Sequence, residues 1–222
     1  MTLAGPAGAL EALWKEPVSS ARGSAVVGHA HPLHGGTMHF KVVFRMARAL
    51  ARAGFGVLRF NFRGVGASQG VHDGGRGERD DFRAALDHAE RMGGGPLLAA
   101  GFSFGSVMAL EAGAGDPRVS WLVAAGLPVD RWPFSGARIA QPALVISGAL
   151  DAIADTKLLR EAVPARFDRA RLDLVAGADH FFTGHLEALE EAVFEFASGA
   201  PLRGAAAESP VHAGADPGPE VA

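Results

Sequence analysis

Short apolar runs alternate with amphipathic ones through this chain, and that alternation leaves few folds open to it. Residues 25–28, 55–60, 96–100, 119–125, 143–147 and 171–175 are apolar and short, as buried strands are. Residues 42–53, 80–92, 106–112, 158–163 and 186–197 read as helices, with Phe82, Ala85, Leu86 and Ala89 on one face of the second. Gly54 stands where a helix C-terminal cap is expected. Residues 9–14 read as an extra edge strand. Strands separated by helix-length crossovers pair in parallel, and a parallel sheet must be covered on both faces. The expected fold is therefore α/β: a mostly parallel, doubly wound sheet with helices on both faces and right-handed crossovers. In such sheets the reactive residues collect beyond the carboxyl ends of the strands.

Two segments read G-x-S-x-G, one around Ser68 (66–70) and one around Ser103 (101–105). With 30 Gly in 222 residues the string itself says little, since roughly 0.2 matches arise by chance. The chemistry requires a strand entering and a helix leaving, so that the serine oxygen projects above the sheet edge. Ser103 follows the apolar run 96–100 and precedes the helix-forming run 106–112. Ser68 lies in a glycine-rich loop that continues into Asp73-Gly74-Gly75. Ser103 is the expected nucleophile.

A serine hydroxyl needs a base, usually histidine, and the base needs a carboxylate to fix its tautomer. Asp151 follows the strand 143–147, and His180 follows the strand 171–175. The order Ser, Asp, His is that of α/β-hydrolases. Asp155 sits better than Asp151 to cap the next helix, which leaves Asp151 as the acid. Asp179 adjoins His180 and points away from it; His185 begins a helix, solvated or capping.

Acyl transfer also needs donors for the oxyanion. One is the backbone N–H of Phe104, directly after the nucleophile; the second is expected from the loop after the first buried strand, at the Leu33 N–H. That loop and its continuation hold His29, His31, His34 and His39, which at short spacing also suit a zinc site. The acidic residue that metallo-hydrolases carry before the third histidine is Leu33 here, so hydrogen bonding that shapes the loop is the preferred reading. Gly64, Gly66 and Gly70 have no helix opening directly on them, as a phosphate loop would, and read as a turn-rich rim.

A hydrophobic content of 48% supports a sizeable core. The formal charge of −3, without a Lys/Arg block, argues against nucleic acid. Absence of cysteine excludes disulfides, thiolate metal sites and a cysteine nucleophile. No basic leader with an apolar core and no membrane-length apolar run is present, so a cytoplasmic hydrolase domain over 1–198 is expected. Residues 199–222, rich in Gly, Pro and Ala, read as a disordered tail.

Five segments together carry a resemblance: HAHPLHGGTMHFKVV (29–43), RFNFRGVGASQG (59–70), GFSFGS (101–106), GALD (148–151) and GADHFF (177–182). Over residues 9–197 the chain resembles the small, lidless serine hydrolases of the α/β-hydrolase superfamily, particularly the dienelactone-hydrolase-like bacterial group. Dienelactone hydrolases proper use cysteine where this chain has Ser103. The resemblance implies hydrolysis of small carboxylic esters through an acyl-enzyme on Ser103, with no cofactor. Larger relatives carry a helical cap where this chain has residues 126–142, too short for one. An open, shallow site that favours short acyl chains is the consequence. Peptidase or thioesterase activity on the same triad, and a non-catalytic binding role, are the alternatives.

Removal of residues 201–222 is expected to leave the melting temperature and ester kinetics unchanged, because the tail has too little apolar area to offset its ordering entropy. Thermal melting and an acyl-length series on the truncated protein check this.

Overall fold

A computed structural model describes residues 1–130 and 138–199. Its sheet has eight strands in the order β1-β2-β4-β3-β5-β6-β7-β8. The strands are β1 (Thr2–Gly5), β2 (Gly8–Lys15), β3 (Gly23–Gly28), β4 (Phe55–Phe60), β5 (Leu97–Phe102), β6 (Val119–Ala125), β7 (Ala143–Gly148) and β8 (Ala170–Val175). From β4 to β8 every pairing is parallel; β1 and β2 add an antiparallel hairpin, with β2 on β4. The strand expected over 9–14 is thus β2, and it is not the edge: β1, too short to show a pattern, covers it.

The helices are α1 (Lys41–Arg52), α2 (Arg76–Gly93), α3 (Phe104–Gly113), α4 (Thr156–Arg166) and α5 (Leu186–Ala197). One core packs α2, α3 and α4 on one face of the sheet; the other packs α1 and α5 on the opposite face. Glycine at 54 closes α1 with φ 94°, as its position implied. α2 starts four residues before the expected 80. Glu78 accepts the Gly75 N–H (2.8 Å) and Asp73 accepts the Gly77 N–H (2.8 Å), so polar caps, invisible to apolar spacing, extend it. The helix expected over 158–163 is longer for the same reason, with Asp155 accepting the N–H groups of Lys157 and Leu158.

The chain runs from β3 outward to β4, then returns past β3 to β5. The helices after β3 and β5 consequently lie on opposite faces, and their loops part to leave a crevice. Among the described residues no cap domain is inserted; residues 131–137 and 200–222, which include nearly all of the expected tail, lie outside the described residues.

Two buried ion pairs hold the layers. Glu190 on α5, almost fully buried, meets Arg45 (3.0 Å) and Arg48 (Nε, 2.6 Å) of α1. Burial would raise the Glu190 pKa, but the two arginines outweigh it and hold the carboxyl below its usual range. Its contribution to stability is therefore present above the ordinary glutamate range and lost as pH falls through the lowered value. Asp81 on α2, fully buried, takes a two-pronged contact from Arg63 (2.9 and 2.8 Å) and the Arg63 N–H (3.1 Å). This pair anchors the loop after β4.

Asp81→Ala strands the Arg63 guanidinium in a buried site. The expected loss is about 3–5 kcal/mol, or roughly 10 °C in Tm, measured by thermal denaturation.

Candidate active site

Ser103 sits between β5 and α3 at φ 54° and ψ −121°, a conformation that costs a non-glycine residue on the order of 1–3 kcal/mol. The turn is pinned: the Ser103 N–H reaches Ala125 O (2.8 Å), and Ser106 Oγ donates to Ser103 O (2.6 Å). The flanking glycines are required by contact. A Cβ on Gly101 would overlap the Gly105 carbonyl, and one on Gly105 would strike the Gly28 and His29 backbone. The pattern around 101–105 is thus a packing requirement between β5, α3 and β3.

The hydroxyl of Ser103 lies 3.0 Å from His180 Nε2, and His180 Nδ1 lies 2.8 Å from Asp151 Oδ2. Since the carboxylate only accepts, the imidazole carries its proton on Nδ1 and offers Nε2 to the serine. Asp151 Oδ2 also accepts from Ser147 Oγ (2.8 Å), while Oδ1 accepts the N–H groups of Ile153 (2.8 Å) and Ala154 (2.7 Å). Burial alone would raise the Asp151 pKa, but the bond from His180 and these backbone donors bring it below the usual range. A hydroxyl so placed can pass its proton to the imidazole as it attacks an acyl carbon.

The competing residues are occupied elsewhere. Ser68, the other candidate, accepts the Glu11 N–H (2.9 Å) and donates to Asn61 O (2.7 Å), which ties β2 to the loop after β4. Asp179 accepts the N–H groups of Phe181 (3.0 Å) and Thr183 (2.9 Å) and shapes the histidine loop. Within that loop Phe182 holds φ 54°, a strained value for an aromatic residue. His185 lies at the start of α5, where its ring contacts Thr183 O (2.8 Å).

The crevice above Ser103 is a cavity of about 130 Å³ whose wall includes Ala30, His31, Phe104, His180 and Phe181. Phe104 opens α3, so its N–H lies at the positive end of that helix. Leu33 does not face the cavity. Its N–H is directed to His31 Nδ1 (3.2 Å), its side chain is 71% exposed, and Ala30, His31 and His34 form the wall instead. The short 3-10 turn of Pro32–His34, capped by the His31 ring, is what turns Leu33 outward.

The histidines divide into two groups. His29 is fully buried; Nε2 accepts the Phe62 N–H (3.0 Å), so Nδ1 carries the proton and donates to Ala30 O (2.6 Å). With both nitrogens used, it cannot join a metal site in this arrangement. His39 is exposed on the outer turn. His31 stacks on His34 (ring centroids 4.5 Å) and meets His72 (4.8 Å) and Phe104 (5.1 Å). His72 in turn lies 2.8 Å from the buried Glu78 carboxylate. No group of three or more ligand side chains with metal-binding geometry occurs among the described residues.

Three comparisons bear on the family of the chain. The family model described as serine aminopeptidase, S33, matches residues 26–132. An uncharacterised protein of Rickettsia prowazekii is 34% identical over 203 residues, covering 86% of this chain and 85% of the relative. An α/β serine hydrolase homologue from Coxiella burnetii superposes with a TM-score of 0.84 at 34% identity, covering 88% of this chain and 95% of the other. A Xanthomonas campestris member of the α/β serine hydrolases without a lid gives 0.82 at 35% identity, covering 89% and 91%. The chain belongs to the lidless α/β serine hydrolases.

Sequence reading of this lidless hydrolase missed Ser147 and His72. Ser147 ends a strand as an ordinary small residue, and only the bend that returns Asp151 over it shows the contact. His72 comes from the rim loop, and only the Arg63–Asp81 anchor brings it to Phe104. No helix of the described residues is long and apolar enough to cross a membrane.

Burial pushes the His29 imidazole down to about 4 from 6.5, with the bond to Ala30 acting weakly the other way. Between those values the unfolded chain binds a proton that the native state refuses, so stability falls as pH drops from about 6.5 to 4. By NMR, His29 is expected to remain a neutral Nδ1–H imidazole down to pH about 5.

Proposed function

We propose that this protein hydrolyses carboxylic esters with short acyl groups through an acyl-enzyme on Ser103. The observation that carries the reading is the continuous chain Ser103 Oγ–His180–Asp151, at 3.0 and 2.8 Å, set on a strained strand-to-helix turn. In this reading His180 is the base that takes the Ser103 proton and returns it to the leaving alcohol. Asp151 orients the ring and stabilises its charged form. The oxyanion is received by the Phe104 N–H together with backbone of the Ala30–His31 segment, in place of Leu33. The cavity of about 130 Å³ suits a short acyl chain, consistent with the lack of a lid. The substrate is a small molecule, the chemistry uses the protein's own groups without a cofactor, and the expected compartment is the cytoplasm.

A second reading comes from the family model's description as a serine aminopeptidase. An aminopeptidase must recognise a free ammonium, for which a carboxylate in the pocket is the natural partner. The cavity wall among the described residues includes His31, His34, Pro128, Ile153 and His180, with no Asp or Glu. This favours an uncharged ester over a peptide N-terminus.

A fluorophosphonate probe is expected to label Ser103 alone, and Ser103→Ala to abolish both labelling and p-nitrophenyl acetate hydrolysis. Ser68→Ala keeps most of the turnover, since its loss removes a structural tie only. Retained hydrolysis in Ser103→Ala defeats the proposal. Asp151→Asn should cost kcat on the order of 10⁴, against little for Asp155→Asn or Asp179→Asn. Steady-state kinetics on the three variants decides the assignment of the acid.

A further inference from the structure

Ser147 lies near the end of β7, fully buried, after four apolar residues, Ala143 to Ile146. Alternation along the strand sets it on the face of Ala143 and Val145, which belong to the core under α3 and α4. A hydroxyl buried there must find a partner. The partner is the acid: Ser147 Oγ lies 2.8 Å from Asp151 Oδ2, the oxygen that also takes the His180 Nδ1–H at 2.8 Å. An ionised carboxylate only accepts, so the serine donates.

The chain is bent to make this contact. The Asp151 N–H reaches Gly148 O (3.1 Å), which folds the acid back over the strand end. A Cβ on Gly148 would overlap the Ala178 and Asp179 carbonyls, so the loops of acid and base close on each other at a glycine. The Leu150 N–H bonds Ala178 O (2.9 Å) across the same seam.

With the N–H groups of Ile153 and Ala154 on Oδ1, the carboxylate holds four hydrogen bonds, about its full capacity. Two of the four come from the acid's own loop and fix Oδ1. The third, from Ser147, comes from the sheet and fixes Oδ2. The fourth comes from His180, the group whose charge changes in the reaction. We infer that Ser147 is a positioning residue of the triad: from the rigid end of β7 it aims Asp151 Oδ2 at His180 Nδ1 and shares that oxygen's charge, so that the imidazole remains a free base to lower pH. The inference rests on the hydrolase reading above, in which His180 takes the Ser103 proton. Charge drawn toward the serine is charge withheld from a second proton on the ring. The other groups around that ring are Phe102 of β5 (centroids 5.0 Å) and Phe181 (5.2 Å), which carry no charge, and Ser103. The ionisable neighbours besides Asp151 are Asp179, next in the chain, and His31 and His34 of the same cavity wall.

Ser147→Ala and Ser147→Thr test this in the full chain, with p-nitrophenyl acetate between about pH 5 and 9. In Ser147→Ala, kcat on the plateau is expected to fall about tenfold while KM changes less than about twofold. The acid limb of kcat/KM is expected to move up by about half a pH unit. Ser147→Thr keeps the hydroxyl and brings back the limb and most of kcat. Melting curves establish that both variants fold. If threonine is not accommodated in the buried site, Ser147→Cys, close to serine in shape but a weak donor, is expected to behave as alanine does. An acid limb that stays in place in Ser147→Ala overturns the inference. So does a lowered Tm with unaltered kinetics, which marks a structural hydroxyl only, or a raised KM with unchanged kcat. NMR titration of the His180 ring in the resting protein reads the same displacement without turnover, and equal midpoints in wild type and Ser147→Ala overturn the inference whether or not an ester is cleaved. A displaced midpoint together with no fluorophosphonate labelling and no turnover of any ester supports the positioning role and defeats the esterase reading alone.

Discussion

The site depends on one close backbone contact, the approach of α3 to the end of β3. Gly105 lies against the Gly28 carbonyl and the His29 backbone, and Gly101 against Gly105. Gly28 and Gly101 are also register partners across β3 and β5. Three glycines thus let a helix start directly over the sheet edge. The turn that results forces Ser103 to positive φ and places its hydroxyl in the crevice. Any side chain at 101 or 105 would lift α3, and with it the Phe104 N–H and the serine. The strain at Ser103 is offset by the two cores that clamp β5 on either face.

The acid and the base are held by backbone rather than by each other. Asp151 has its Oδ1 bound by two N–H groups of its own loop, leaving Oδ2 for Ser147 and His180. His180 is carried on a loop fixed by Asp179, and its ring lies against Phe102 (centroids 5.0 Å). Each partner is therefore in position before the other arrives. In the proposed reaction that is preorganisation: no reorganisation accompanies the development of charge on the imidazole. The ionised state of Asp151 follows from the same bonds, which outweigh its burial.

What the sequence made legible was everything governed by periodicity and chain order. Six strands, the helical faces and the Ser–Asp–His order all follow from patterns longer than a few residues. The misses share another cause, short-range hydrogen bonding by polar side chains. The Glu78 and Asp73 caps moved the start of α2, and the His31 cap turned Leu33 out of the cavity. A ring nitrogen two residues away that accepts the Leu33 N–H is enough to redirect it, and no spacing rule registers that. β1 escaped because four residues show no period, although β2 needs an edge partner. The histidine-rich loop reads from sequence as a hydrogen-bonded scaffold in preference to a ligand set, but only burial separates His29 from His31 and His34.

Without a lid, a hydrolase of this kind must build its pocket from the loops of the sheet edge alone, and those loops have to be stiff. Two buried polar anchors supply the stiffness on the β3–β4 side. His29 ties the loop after β3 to the Phe62 N–H, and Arg63, the next residue, ties the loop after β4 to Asp81. The two loops are consequently one unit, with the His31 and His72 rings in tilted contact at its face against Phe104. Neutrality of His29 is essential to this unit, because a protonated ring would lose the acceptor that the Phe62 N–H requires. Burial enforces that neutrality. The same desolvation that makes His29 a poor ligand and a poor base makes it a dependable joint, and the crevice above Ser103 inherits its shape from it.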